Sequence, residues 1–192
     1  MNKDISSALR PALVLTLLFA LLLGIGYPLV MTGIGQLLFP GAANGSLITA
    51  NGKVIGSAVV GQAFTSDRYF QTRPSAAGKG YDGLSSSGSN LGPASQALVD
   101  RVKPDVAKRR AEGVTEVPAD LVTASGSGLD PDLSPAAAMA QVPRIARVRA
   151  LPAPQVRALV ASAVEKPVGG ILGDPHVNVL ALNRGLDRLS AR

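Results

Sequence analysis

The sequence predicts an α+β protein with a single N-terminal transmembrane helix, followed by one domain containing a β-hairpin, short strands and several helices. Three observations carry this reading. No charged residue occurs between Arg10 and Lys53, and residues 11–39 are almost wholly apolar. Two β-prone runs flank Asn51-Gly52. Beyond Pro93, aliphatic residues recur at helical spacing between breaks marked by Gly and Pro.

The apolar run comes first. Crossing a hydrocarbon core of roughly 30 Å takes about 20 residues at 1.5 Å rise each. Residues 11–36 are assigned to the span, 1–10 to a cytoplasmic tail and 37–192 to one extracytoplasmic domain. A cleaved signal peptide, with 1–10 as its charged region and 12–25 as its apolar core, is the competing reading. Such cores usually end within about 7–15 residues, whereas this run continues through Gly26, Tyr27, Pro28, Leu29, Val30 and Met31. No A-x-A pattern follows it. Lys3 and Arg10 precede the span, and on its far side no Lys or Arg appears before Lys53. The positive-inside rule therefore sets the N-terminus in the cytoplasm and the domain outside. The absence of cysteine fits an oxidising compartment.

The anchor also carries a packing pattern. Ala12, Thr16, Ala20 and Gly24 fall at i, i+4 spacing, and the series continues through Pro28. Small residues on one stripe let a second helix backbone approach closely in lipid. The stripe drifts by about 40° per step on an ideal helix, so it wraps the surface. Pro28 is expected to bend the outer half.

In the domain, Asn51-Gly52 between residues 46–50 and 53–60 reads as a hairpin, because a type I′ turn needs positive φ at both central positions. After Arg68-Tyr69-Phe70, residues 72–96 hold six Ser, five Gly and two Pro, the composition of a long loop. A helix is expected from Pro93, with Leu98, Val102 and Val106 on one face, a kink at Pro104 against the Asp100 carbonyl and a stop at Gly113. A second loop spans 124–132. Ser134-Pro135 reads as N-cap and first residue of a short helix ending near Pro143. Pro154 opens another helix, with Val156, Leu159, Val160, Ala163 and Val164 on one face. Gly169-Gly170 and Gly173 break the chain, 176–180 starts as a strand, and Leu182, Leu186 and Leu189 mark a last amphipathic helix.

Composition and motifs exclude several functions. The net charge of +6 comes from dispersed basic residues without aromatic interleaving, which argues for a solvated basic face and against a nucleic-acid partner. No G-x-x-x-x-G-K-[ST] phosphate loop, no Asp-Lys-Thr-Gly phosphorylation motif and no G-x-S-x-G elbow occurs. His176 is the only histidine, which rules out a His-based metal cluster. An anchored hydrolase would have to combine a loop serine with His176. No catalytic residue and no metal ligand is assigned. The two Ser/Gly loops are read as the partner-contact surface, with Arg73, Pro74, Ser89, Asn90, Ser125, Ser127 and Asp130 as candidates. Asp82, Asp130 and Asp132 are candidates for concentrating cations near it.

The chain resembles the C subunits of the Kdp potassium-transporting P-type ATPases. The resemblance rests on Gly61-Gln62-Ala63-Phe64, Tyr69-Phe70-Gln71-Thr72-Arg73-Pro74-Ser75-Ala76, Gly88-Ser89-Asn90-Leu91-Gly92-Pro93, Val117-Pro118-Ala119-Asp120-Leu121 onward to Pro131, Ser134-Pro135, and Leu172-Gly173-Asp174-Pro175-His176-Val177-Asn178-Val179-Leu180. These segments run in order through nearly the whole chain. Two stretches depart from the family pattern: residues 165–170 replace a Thr-x-Gly-Arg stretch, and Asp174 with His176 stands where Glu and Arg are usual. The resemblance implies a non-catalytic accessory subunit in a bacterial inner membrane. Its partners would be a channel-like potassium-binding subunit, a P-type ATPase subunit and a small single-span subunit, beside the lipid bilayer. It implies no cofactor in this chain, ATP being used by the partner pump subunit. The family is also described as nucleotide-binding, raising the pump's affinity for ATP. That regulatory alternative requires a cytoplasmic domain, which the charge asymmetry opposes.

Overall fold

The computed structural model describes residues 2–190; Met1 of the expected tail, and Ala191 and Arg192, lie outside the described residues. The chain divides between Leu47 and Ile48 into two units. In the first, α1 (Asn2–Leu21) includes the segment expected as a tail, then passes through a π turn (Leu22–Gly26) into α2 (Tyr27–Leu38) and a short α3 (Pro40–Ala43). The π turn lies just ahead of Pro28. Proline lacks an N–H and its ring crowds the carbonyl four residues earlier, here Gly24. Widening the turn to i→i−5 pairing, with the Tyr27 N–H on the Leu22 carbonyl, moves that carbonyl away. The stretch Ser7–Leu38 is 32 residues long, and its 18-residue apolar window has a mean hydropathy of 2.4 with none of it buried. It fits a transmembrane helix.

The second unit begins with the hairpin. β1 (Leu47–Ala50) and β2 (Lys53–Ser57) pair in a two-stranded sheet. Asn51 and Gly52 adopt φ of +50° and +75°, as a type I′ turn requires. β2 ends at Ser57, not Val60 as expected. The long loop then runs to Ser95, which caps α4 (Gln96–Ala111) with extended backbone, so Pro93 lies ahead of the helix and not at its first turn. Pro104 is accommodated inside α4 on its exposed side.

A 3₁₀ turn (Ala119–Leu121) and β3 (Asp132–Leu133) lead to α5 (Pro135–Arg149), α6 (Ala153–Ser162), β4 (Val177–Asn178) and α7 (Val179–Ser190). β3 and β4 pair antiparallel, Asp132 opposite Asn178 and Leu133 opposite Val177. The Ser134 hydroxyl accepts from the Ala137 N–H, the N-cap expected from sequence. The expected end near Pro143 is wrong: α5 continues six residues further, to Arg149. An interior proline costs about 3 kcal/mol. Val142, Ile145 and Ala146 remain buried on either side of it, and each large aliphatic side chain returns about 1.5–3 kcal/mol. The strand expected at 176–180 shrinks to two residues, because Val179 and Leu180 turn their side chains into the core as the first turn of α7.

The core is small and aliphatic. Phe70, Leu121, Leu133, Val142, Ile145, Val156, Val160, Val177, Leu182 and Leu186 form one buried cluster. α5 packs on α6, and α6 on α7. Gly185 permits the last contact: a Cβ there would lie 2.9 Å from Leu159 Cδ1.

Candidate partner interface

The segment from Tyr69 to Ala76 joins the core to the loops, and two side-chain amides hold it. Asn183 of α7 accepts from the Phe70 N–H (2.8 Å) and donates to the Phe70 carbonyl (3.0 Å). Gln141 of α5 does the same for Gln71, at 2.8 and 3.0 Å. The two helices thus supply the pairing that a neighbouring strand would otherwise give an extended backbone. Arg144, 3 % exposed, donates to Gln141 Oε1 (2.7 Å) and to the carbonyls of Asp67 and Tyr69. Its burial lowers the guanidinium's pKa, and Glu112, 3.6 Å from Nε, opposes that shift. These residues went unmarked in the sequence. The available signal was a polar side chain inside an apolar series at helical spacing of three or four, Gln141 between Ala137 and Ile145, and Asn183 between Val179 and Leu186.

Beyond the clamp, the two Ser/Gly loops interlock. Arg73 Nη1 pairs with Asp130 Oδ2 at 2.8 Å, and Asp130 Oδ1 accepts from the Asp132 N–H. Ser75 Oγ donates to the Gly128 carbonyl (2.6 Å) and accepts from the Ala77 and Tyr81 N–H groups. The Tyr81 hydroxyl, its pKa raised by burial, donates to the Arg73 carbonyl. The Ser125 N–H donates to the Pro74 carbonyl. The Ser127 carbonyl accepts from the Ser87 N–H and the Ser86 hydroxyl. Gly128 is obligatory: its φ is +68°, and a Cβ would lie 2.6 Å from the Ala77 nitrogen.

Five sequence candidates, Arg73, Pro74, Ser125, Ser127 and Asp130, therefore meet at one seam. Ser89 and Asn90 follow Gly88, whose backbone lies against Gly126; Asn90 is exposed with φ of +50°. Asp82 stands apart, bonded to the Leu84 N–H beside Gly78. Asp130 and Asp132 share a cleft of about 580 Å³ with Arg73, Asp120, Asp174 and His176. Burial raises the Asp132 pKa, against a hydrogen bond from Asn178. His176 Nδ1 lies 3.0 Å from the Asp174 carbonyl, and Nε2 lies 3.7 Å from Glu165 and 4.0 Å from Asp132. The carbonyl contact and then the two carboxylates raise its pKa. In the other unit Ala12, Thr16, Ala20, Gly24 and Pro28 are all exposed. The π turn spends an extra residue between Ala20 and Pro28 and so offsets the drift of the stripe over that step.

These features define a class: a helix fit to span a membrane, joined to a small α+β unit with an ordered polar loop surface. The family described as "K+-transporting ATPase, c chain" (KdpC) matches residues 9–188. The potassium-transporting ATPase KdpC subunit of Caulobacter vibrioides is 57% identical over 184 residues, covering 94% of this chain and 93% of that protein. The KdpC subunits of Acidobacterium capsulatum and Bradyrhizobium diazoefficiens are 54% and 52% identical, covering 94% and 96% of this chain and 98% of each relative. The chain belongs to the KdpC family of K+-transporting ATPase subunits.

Proposed function

We propose that this chain is a non-catalytic accessory subunit that assembles and stabilises the channel-like and pump subunits of a potassium-transporting ATPase, its domain facing outward. The observation that carries the reading is the interlocked loop pair. The hydroxyls of Ser75, Ser86 and Ser127, and the Arg73–Asp130 ion pair, are engaged within the seam, which makes it a rigid polar docking surface. Rigidity lowers the ordering cost of association. The transmembrane stripe at Ala12, Thr16, Ala20, Gly24 and Pro28 supplies the second contact, to helices of a partner subunit within the bilayer. ATP acts at the pump subunit.

Replacing Ala20 and Gly24 together by Leu tests assembly. Both positions are exposed, and a side chain at Gly24 meets nothing within 4 Å in this chain, so the double variant has room to fold. It is expected to insert normally and to be lost from the complex purified in mild detergent. Unchanged co-purification would remove the stripe from the interface.

A further inference from the structure

Residues 165–176 form a ribbon that continues outward from β4. Glu165 and His176 bridge its base, exchanging both backbone hydrogen bonds, and Val168 and Leu172 bridge its tip. The tip is apolar and uncovered: Val168 is 74%, Ile171 86% and Leu172 70% exposed. We propose that this tip inserts into the surface of the lipid bilayer in which the chain is anchored, as a second and shallow membrane contact.

Two observations favour lipid over a protein partner. Backbone groups entering hydrocarbon must be satisfied internally. The N–H groups of Val168, Gly170, Ile171 and Leu172 all donate within the turn, to Leu172, Pro167 and Val168 carbonyls. The turn's N–H groups other than that of Gly169 are thus paired, and the Gly169, Gly170 and Ile171 carbonyls are left to the hydrated headgroup layer, which keeps the contact shallow. The second observation is the tether. Only residues 39–47 separate the span Ser7–Leu38 from the domain, so the domain stays beside a bilayer at all times. The positive φ of Gly169 and Gly170 makes the turn tight enough to place Val168 and Ile171 on either side of the apex. Lys166 is exposed at the ribbon's neck, where its ammonium can remain among headgroups; Glu165 and Asp174 flank it with opposite charge. Insertion is therefore driven by apolar burial and not by attraction to anionic lipid.

The proposal rests on anchoring through Ser7–Leu38, and the test separates the two. The chain has no cysteine, so Ile171→Cys and, separately, the fully exposed Leu84→Cys are labelled with a polarity-sensitive fluorophore in the full-length protein. Each is reconstituted alone in phosphatidylcholine vesicles. Flotation with the vesicles reports anchoring by itself. The label at 171 is expected to emit at shorter wavelength than that at 84. It should be quenched by nitroxide on the upper acyl chain, consistent with a depth of about 5–10 Å, and be shielded from aqueous iodide. Replacing zwitterionic by anionic lipid should leave the result unchanged. If the protein floats but the 171 label stays open to iodide and untouched by nitroxide, the proposal is overturned. Shielding of the 171 label only after the other subunits are added would assign the tip to a protein and overturn it equally.

Discussion

Asn183 and Gln141 hold the extended segment by its backbone and not by apolar contact. Each is almost fully buried and each satisfies both backbone groups of one residue in the extended segment. A side chain that removes its amide strands a buried N–H and a buried carbonyl, at about 1–3 kcal/mol for each group. Asn183→Ala is therefore expected to lower stability by several kcal/mol, and to loosen Phe70 first. Thermal or denaturant unfolding of the full-length protein in detergent reads the loss. A change within about 0.5 kcal/mol, the usual range for surface substitutions, would show that the amide pairing is not what holds the segment. Neither residue announced this role in the sequence. The amide of Asn183 meets a backbone 113 positions away, and no local pattern encodes a partner at that distance. Arg73 and Asp130 were legible as loop residues, yet their pairing was not, for the same reason.

Elements governed by local rules were legible and those governed by burial were not. The hairpin followed from Asn51-Gly52 because its turn geometry is set by two residues. The N-cap at Ser134 followed from its own hydroxyl. The length of α5 did not, since Val142 and Ile145 override a proline whose local effect is to stop a helix. The ribbon of residues 165–176 is an element of a third kind, closed at its base by titratable groups. His176 faces Asp132 of β3 and Glu165 of the opposite arm, with Asp130 further off and the Asp174 carbonyl on Nδ1. Its pKa is raised in the folded state, so folding favours the proton. The stabilisation is then full below the unfolded value near 6.5 and lost as pH rises through the folded one. Asp132, also raised, shifts stability in the same direction in a more acidic window, above 3.8. Unfolding temperature is expected to fall between mildly acidic and mildly alkaline pH, and His176→Gln to flatten that slope while leaving the slope near pH 4 in place. A slope of unchanged steepness in the variant would show that His176 does not close the ribbon.

At the scale of the molecule, the side of the membrane on which the domain lies decides between assembly and nucleotide regulation. An outside location is favoured electrostatically: Arg10 lies before the span, and no Lys or Arg occurs from residue 11 to residue 52. Juxtamembrane basic residues are retained in the cytoplasm. A domain held outside has no access to cytoplasmic ATP, so an effect on the pump's nucleotide affinity would have to pass through the partner subunits. Ser86 reports the side directly. It is exposed on the loop seam, its hydroxyl donating to the Ser127 carbonyl, and Ser86→Cys would be the chain's sole thiol. A membrane-impermeant maleimide applied to spheroplasts is expected to modify it at once, with no gain on lysis. Modification only after lysis would place the domain in the cytoplasm. It would also remove the premise of an outward-facing cap and make a nucleotide-binding role the better account of the same loops.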